Sequence, residues 1–142
     1  MAITGSCMCG EIKYESSSAK PDITALCHCT DCQKWSGSAF TSNAGVPTDS
    51  FKVTQGTPKE YDVTGASGKI NKHFFCGNCG SSLFTRLEII PGVTIIKAGG
   101  LDGGHANLAA DFGGVGVEFY CKDRVTYLEG VNGAKQEPEF GA

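Results

Sequence analysis

Short runs in which β-branched or aromatic residues alternate with polar ones recur along the chain, each bounded by Gly, Asp, Asn or Pro. Such runs predict strands, because successive side chains of an extended backbone point to opposite faces. Seven are predicted: Ile12–Glu15, Lys59–Val63, Lys69–Phe75, Ser82–Ile90, Val93–Ala98, Val117–Cys121 and Arg124–Leu128, with at most one or two turns of helix between them. Twenty glycines without a fixed period exclude a collagen-like repeat and add tight turns. The expectation is an all-β protein.

Length and composition place few limits beyond that. The 142 residues, 40% apolar and 19% charged, suit one domain over 1–142 that buries roughly two thirds of its unfolded surface. No repeat or linker divides it, and the polar stretch 130–142 reads as a loose tail. Twelve Lys+Arg against fifteen Asp+Glu give no pull toward phosphates, so nucleic acid is not an expected partner. The most apolar stretch, Leu87–Ile96, is broken by Glu88, Pro91 and Gly92, short of the ~20 apolar residues of a membrane span. Met1–Gly10 has no basic region followed by an apolar one, so a cytoplasmic, reducing setting is expected.

The eight cysteines change the picture. Cys7 and Cys9, then Cys27, Cys29 and Cys32, then Cys76 and Cys79 fall in three clusters, with Cys121 apart. Four disulfides would suit a small secreted domain, whereas clustered thiols in a reducing compartment more often hold zinc. On an extended backbone Cys7 and Cys9 face the same way, as do Cys27 and Cys29. Cys76-Gly-Asn-Cys79-Gly80 has the form of a zinc knuckle, with glycine where such turns demand a positive φ. Seven clustered thiols divide as four plus three, a closed site and an open one. Spacing does not choose the grouping: Cys29, Cys32, Cys76 and Cys79 would make an equally regular foursome.

Three stretches resemble one family. Gly5-Ser-Cys-Met-Cys-Gly-Glu-Ile-Lys-Tyr14, Cys27-His-Cys-Thr-Asp-Cys-Gln-Lys-Trp-Ser-Gly-Ser-Ala-Phe40 and Phe75-Cys-Gly-Asn-Cys-Gly-Ser-Ser-Leu83 are similar in order and spacing to the motifs of the glutathione-dependent formaldehyde-activating enzyme and centromere protein V family. Ala98-Gly-Gly-Leu-Asp102 and Arg124 extend the likeness. Gly113–Gly116 and Tyr127 depart from it, standing where the family usually has a proline and a tryptophan. The resemblance implies a β-tent of short antiparallel sheets. It also implies two zinc ions, a structural one on Cys7, Cys9, Cys76 and Cys79 and a catalytic one on Cys27, Cys29 and Cys32. The activity it implies is that of a carbon–sulfur lyase acting on glutathione or a glutathione adduct, with a small-molecule thiol or thiol conjugate as partner.

Elementary chemistry fits that implication, since zinc on three thiolates carries about −1 charge and takes a soft fourth ligand such as a thiolate. Candidates for the accompanying proton are His28, Asp31, Asp102 and His105; His28 also reads as an exposed residue or one that supports the metal ligands from behind, and His73 as a solvent-facing side chain. Lys34, Trp35, Ser36 and Ser38 are placed to line a pocket, with packing an equal account of Trp35, and Arg86 and Arg124 to pair with substrate carboxylates or with surface acids. Two rival readings stand beside the lyase. One is a non-catalytic zinc module that binds a protein partner. The other is a methionine sulfoxide reductase-like enzyme using Cys121, suggested by Glu118-Phe-Tyr-Cys121.

Overall fold

The computed structural model describes residues 2–104, 106–108 and 112–140. Its strands are β1 (Ile3–Ser6), β2 (Lys13–Ser16), β3 (Ile23–Cys27), β4 (Thr41–Pro47), β5 (Phe51–Gln55), β6 (Lys59–Thr64), β7 (Ile70–Phe75), β8 (Ser82–Leu87), β9 (Val93–Lys97), β10 (Val117–Phe119) and β11 (Lys135–Gln136), with a helix, α1 (Thr30–Ser36), between β3 and β4. They form a three-stranded sheet, β1-β2-β5, and an eight-stranded sheet, β11-β10-β3-β4-β9-β8-β7-β6. The all-β class is therefore the observed one. Pairing is antiparallel except at β10, which runs parallel to both β3 and β11. Among the described residues no helix is long and apolar enough to cross a membrane.

Alternation along the strands divides the large sheet into two faces. Ala44 and Val46 of β4, Ile96 of β9, Phe84 of β8 and Phe74 of β7 are buried on one face, against Ile3, Tyr14 and Phe51 of the small sheet. Phe84 stacks on Phe74 at 4.4 Å between ring centres and meets Phe51 at 4.7 Å. Arg86 covers this group, its guanidinium 5.2 Å from the Phe84 ring centre and its Nε donating to Thr94 Oγ1 at 3.1 Å. The opposite face carries Ala25, Asn43, Gly45, His73, Thr85, Ile95 and Lys97, and these line a cavity.

Several expectations are corrected. Arg124–Leu128 is a turn, closed by Leu128 N–H to Val125 O at 3.2 Å. Tyr120, with φ of 55°, ends the extended run, and β10 already has a strand on each side, so no edge remains for another. The stretch 130–142 is not a loose tail over its described part. Lys135–Gln136 pairs with β10, Glu137 is buried, and Phe140 packs on Phe119 at 4.7 Å between ring centres. β1, β3, β4, β5 and β11 were absent from the predicted set. Thr-Ser-Asn-Ala-Gly-Val-Pro of β4 holds few bulky β-formers, and its extension comes from two flanking partners, β3 and β9.

Gly5 of β1 has no room for a side chain between its partner Tyr14 on β2 and the turn that follows β9. A Cβ there would lie 2.4 Å from Tyr14 Oη and 2.7 Å from Gly100 O. Gly5→Ala is expected to destabilise the fold by about 1–3 kcal/mol, read as a lowered midpoint of chemical denaturation. Gly99→Ala, where the added carbon meets nothing within 4 Å, should leave the midpoint near that of the parent.

Candidate metal centre and cavity

Two groups of thiols assemble. The sulfurs of Cys7, Cys9, Cys76 and Cys79 lie within 4.8 Å of one another, as do those of Cys27, Cys29 and Cys32. All eight cysteines are unbridged. The foursome of Cys29, Cys32, Cys76 and Cys79 is not brought together.

In the quartet, tight turns aim the sulfurs. Cys7 follows β1 in a turn closed by Gly10 N–H to Cys7 O at 3.1 Å, so its sulfur converges with that of Cys9, at 3.5 Å, through a turn and not through the extended segment expected. Cys76 to Gly80 forms the matching loop, closed by Gly80 N–H to Cys76 O at 2.9 Å with Gly80 at φ 79°. Backbone N–H groups then point at sulfur: Ile12 N–H at Cys7 Sγ (3.2 Å), and Asn78 and Cys79 N–H at Cys76 Sγ (3.4 and 3.5 Å). Such donors favour thiolates over thiols. The Ser81 hydroxyl and amide pull Cys79 down to about 5.

The trio is built by a strand end and a helix start. Cys27 closes β3, and Cys29 caps α1 with φ −60° and ψ 155°, its Sγ accepting Cys32 N–H at 3.2 Å. Gly37, at φ 69°, ends the helix after its seven residues. Hydrogen bonds from the Cys27 and Cys29 thiols pull Cys32 down to about 2 against the effect of burial, and the Lys97 ammonium adds to the pull. Cys27 is pushed up by its hydrogen bonds with Cys29 and Cys32, and burial adds to the rise. Burial lowers Lys97, and the three sulfurs oppose that shift.

The trio borders a cavity of about 320 Å³, within the range of small-molecule sites. Lys97, with Nζ donating to Asn43 Oδ1 at 2.7 Å, lies on its wall, as do Asp31, His73 and Tyr120. Asn43 is itself held by Thr41, with Nδ2 donating to Thr41 O at 3.1 Å and to Thr41 Oγ1 at 3.0 Å. Neither Lys97 nor Tyr120 was legible as a site residue. Lys97 ends an ordinary strand pattern, and the left-handed φ of Tyr120 has no glycine to announce it.

Other candidates lie elsewhere. His28 is buried, not exposed, and pairs through Nε2 with Glu118 Oε1 at 2.7 Å. His73 does not face solvent: it stacks on Trp35 at 4.5 Å between ring centres and lines the cavity, and burial lowers its pKa. Trp35 also runs parallel to Tyr61 and donates Nε1–H to Ser82 Oγ at 2.8 Å, so its role is packing. Lys34, Trp35, Ser36 and Ser38 are absent from the cavity wall, as are Arg86, Arg124, Asp102 and Cys121. Asp102 accepts from Thr4 Oγ1 at 2.8 Å. Arg124 reaches Gln136 Oε1, Cys121 Sγ at 3.2 Å and Glu118 Oε1 at 3.4 Å. His105 lies outside the described residues.

Glu118 supports the trio from behind. Its carboxylate accepts His28 Nε2, Val131 N–H at 2.6 Å and Gln136 Nε2–H at 2.7 Å, fixing the residue between Cys27 and Cys29 to the last two strands. Burial alone would raise its pKa, but these hydrogen bonds and Arg124 outweigh it and hold the group at about 2.

The glutathione-dependent formaldehyde-activating enzyme family matches residues 2–123. An uncharacterized lyase of Schizosaccharomyces pombe is 28% identical over 80 residues, covering 56% of this chain and 54% of the relative. The matched region thus spans about half the length of that curated relative. A crystal structure of a Rhodobacter sphaeroides protein superimposes with a TM-score of 0.60 at 22% identity, over 79% of this chain and 96% of the other, and shows the same fold.

Because Glu118 ionises more readily folded than unfolded, its contribution is complete above the ordinary carboxylate pKa of 4.5 and fades as pH falls through about 2. Glu118→Gln should lower unfolding free energy on the order of 2–3 kcal/mol at pH 7. The gap between variant and parent should close between pH 5 and pH 2, measured by urea denaturation at each pH.

Proposed function

The chain belongs to the glutathione-dependent formaldehyde-activating enzyme family, and from that premise we propose that it is a zinc-dependent carbon–sulfur lyase acting on glutathione or a glutathione adduct. One observation carries the reading: three convergent thiols, not four, stand on the wall of a cavity large enough for a small molecule. A purely structural ion needs no such space, which sets the non-catalytic module aside. A redox enzyme built on Cys121 would need that thiol at the cavity, and it lies off the wall.

The donor sets suit zinc. A tetrahedron of zinc–sulfur bonds of about 2.3 Å spaces sulfurs at about 3.8 Å, and the quartet has Cys7 and Cys9 at 3.5 Å and Cys9 and Cys76 at 3.8 Å. We assign the quartet a structural zinc, and Cys27, Cys29 and Cys32 a catalytic one. When bound at the trio, zinc supplies a soft Lewis acid that favours the thiolate form of a substrate sulfur near neutral pH.

The chain's own residues do the rest. Lys97 places a positive charge beside a site whose three thiolates exceed the metal's charge by one, and Asn43 and Thr41 fix its position. In the synthetic direction the substrate sulfur bonds to an aldehyde carbon, the carbonyl π pair moves to oxygen, and the thiol's proton ends on that oxygen; the reverse breaks the carbon–sulfur bond and returns the proton. Besides Lys97 and the thiols, His73, Asp31, Tyr120, Lys122 and Asp123 are the titratable groups on the wall, while His28 is committed to Glu118. The unbridged thiols suit a reducing compartment such as the cytoplasm.

Protein purified without chelator should contain close to two zinc ions per chain by elemental analysis, and Cys29→Ser close to one with its circular dichroism retained. The parent should interconvert glutathione plus formaldehyde and their adduct, with kcat/KM in Cys29→Ser lower by at least about a hundredfold. A parent with one zinc or none, or with two zinc and no turnover of any glutathione adduct, would overturn the assignment.

A further inference from the structure

Strand register lays a polarity gradient along the cavity floor. Cys27 pairs with Thr41 at one end. Two residues along, Ala25, Asn43 and Lys97 form the next row, and two further along come Ile23, Gly45, Ile95, Thr85 and His73. Leu87 lies opposite Asn71 beyond them, and Ile89 and Ile90 follow in the β8–β9 turn on the same wall. At about 3.3 Å per residue, Ile23 sits roughly 13 Å along β3 from Cys27. The floor thus passes from thiols beside Phe119 and Phe140, through an amide and an ammonium, to a far end where Ile23, Ile95, Leu87, Ile89 and Ile90 form an aliphatic wall next to Thr85, His73 and Asn71.

Glutathione does not account for that wall. It is polar along its whole length, with two carboxylates, an ammonium and two peptide groups, and formaldehyde adds one carbon. Ile89, 40% exposed at the rim, marks where the apolar end opens to solvent. An apolar lining left wet is unfavourable, and a ligand that dries it gains affinity in proportion to the area covered.

Resting on the lyase reading, we infer that the preferred substrate is the adduct of a thiol with an aldehyde whose apolar chain has about five or more carbons, the chain seated on the isoleucine–leucine wall while the sulfur lies at the trio and the carbon–sulfur bond breaks to release thiol and aldehyde as above. Lys97 and Asn43 divide the two ends and take the polar part of the conjugate. Specificity then resides in Ile23, Ile95 and Leu87, none of which touches the reacting sulfur.

The test is calorimetric titration of the purified, metal-bearing protein with glutathione, S-methylglutathione and S-hexylglutathione, thioethers that bind without turnover. A buried methylene contributes about three- to fourfold in affinity, so the five extra carbons should tighten binding by at least about fiftyfold. Ile95→Thr and Leu87→Gln, both on half-buried positions, should each reduce the hexyl-to-methyl ratio several-fold. A parent ratio within about threefold of one, with glutathione bound and its formaldehyde adduct turned over, overturns this inference and leaves the lyase reading standing. A large ratio that neither variant changes overturns the assignment of the wall. Failure of all three ligands to bind, together with no carbon–sulfur turnover, removes both.

Discussion

Antiparallel pairing determines which side chains share a face, and through β3, β4, β9 and β8 that pairing meets two demands at once. Ala44, Val46, Ile96 and Phe84 must be sealed against the small sheet, and their immediate neighbours Asn43, Gly45, Ile95, Lys97 and Thr85 then have no choice but to face the cavity. Core and site are consecutive residues of the same strands. A slip of one residue would carry Lys97 into the aromatic core and Ile96 into the cavity, so hydrophobic burial on one side enforces the chemistry on the other.

The thiol trio needs a second anchor, because a strand end and a two-turn helix leave its sulfurs poorly held. Glu118 provides it. A carboxylate is buried here only because four donors meet it, from His28, Val131, Gln136 and Arg124. The parallel insertion of β10 beside β3 brings that carboxylate behind the ligand loop, 90 residues along the chain from His28, since Glu118 stands opposite Leu26. His28 is therefore held against Glu118 and stands off the cavity wall.

Much of this was legible in the chain, and the rest for identifiable reasons. Strands β6 to β9 carry bulky alternating residues and stand within a residue or two of their expected bounds at all ends but that of β8, which stops at Leu87. β4 was not legible because its extension comes from flanking partners and not from its own composition. The cysteine clusters stood out by spacing, yet which thiols converge depends on the fold, because Cys9 and Cys76 meet across the two sheets. Lys97, His73 and Tyr120 escaped notice as wall residues for the same reason: a lysine at a strand end, an alternating histidine and a tyrosine without a motif signal nothing until register gives them neighbours. Residues close to Cys32 in sequence, from Lys34 to Ser38, attracted expectation by proximity, but a helix turns them away from the cavity.

The two thiol groups differ in the length of chain they tie. The trio spans six residues, so an ion there constrains little beyond its own loop. The quartet joins the β1–β2 turn of the small sheet to the β7–β8 turn of the large one, with Cys9 and Cys76 separated by 67 residues. On a chain-entropy account a closure of that size is equivalent to about 4 kcal/mol. An ion held by the quartet is thus a rivet between the sheets, and one held by the trio is not. On the two-zinc assignment proposed above, metal starvation would act on the same molecule in two registers: loss from the trio would silence it while it stays folded and ready to be reloaded, whereas loss from the quartet would let the sheets part and expose the molecule to proteolysis.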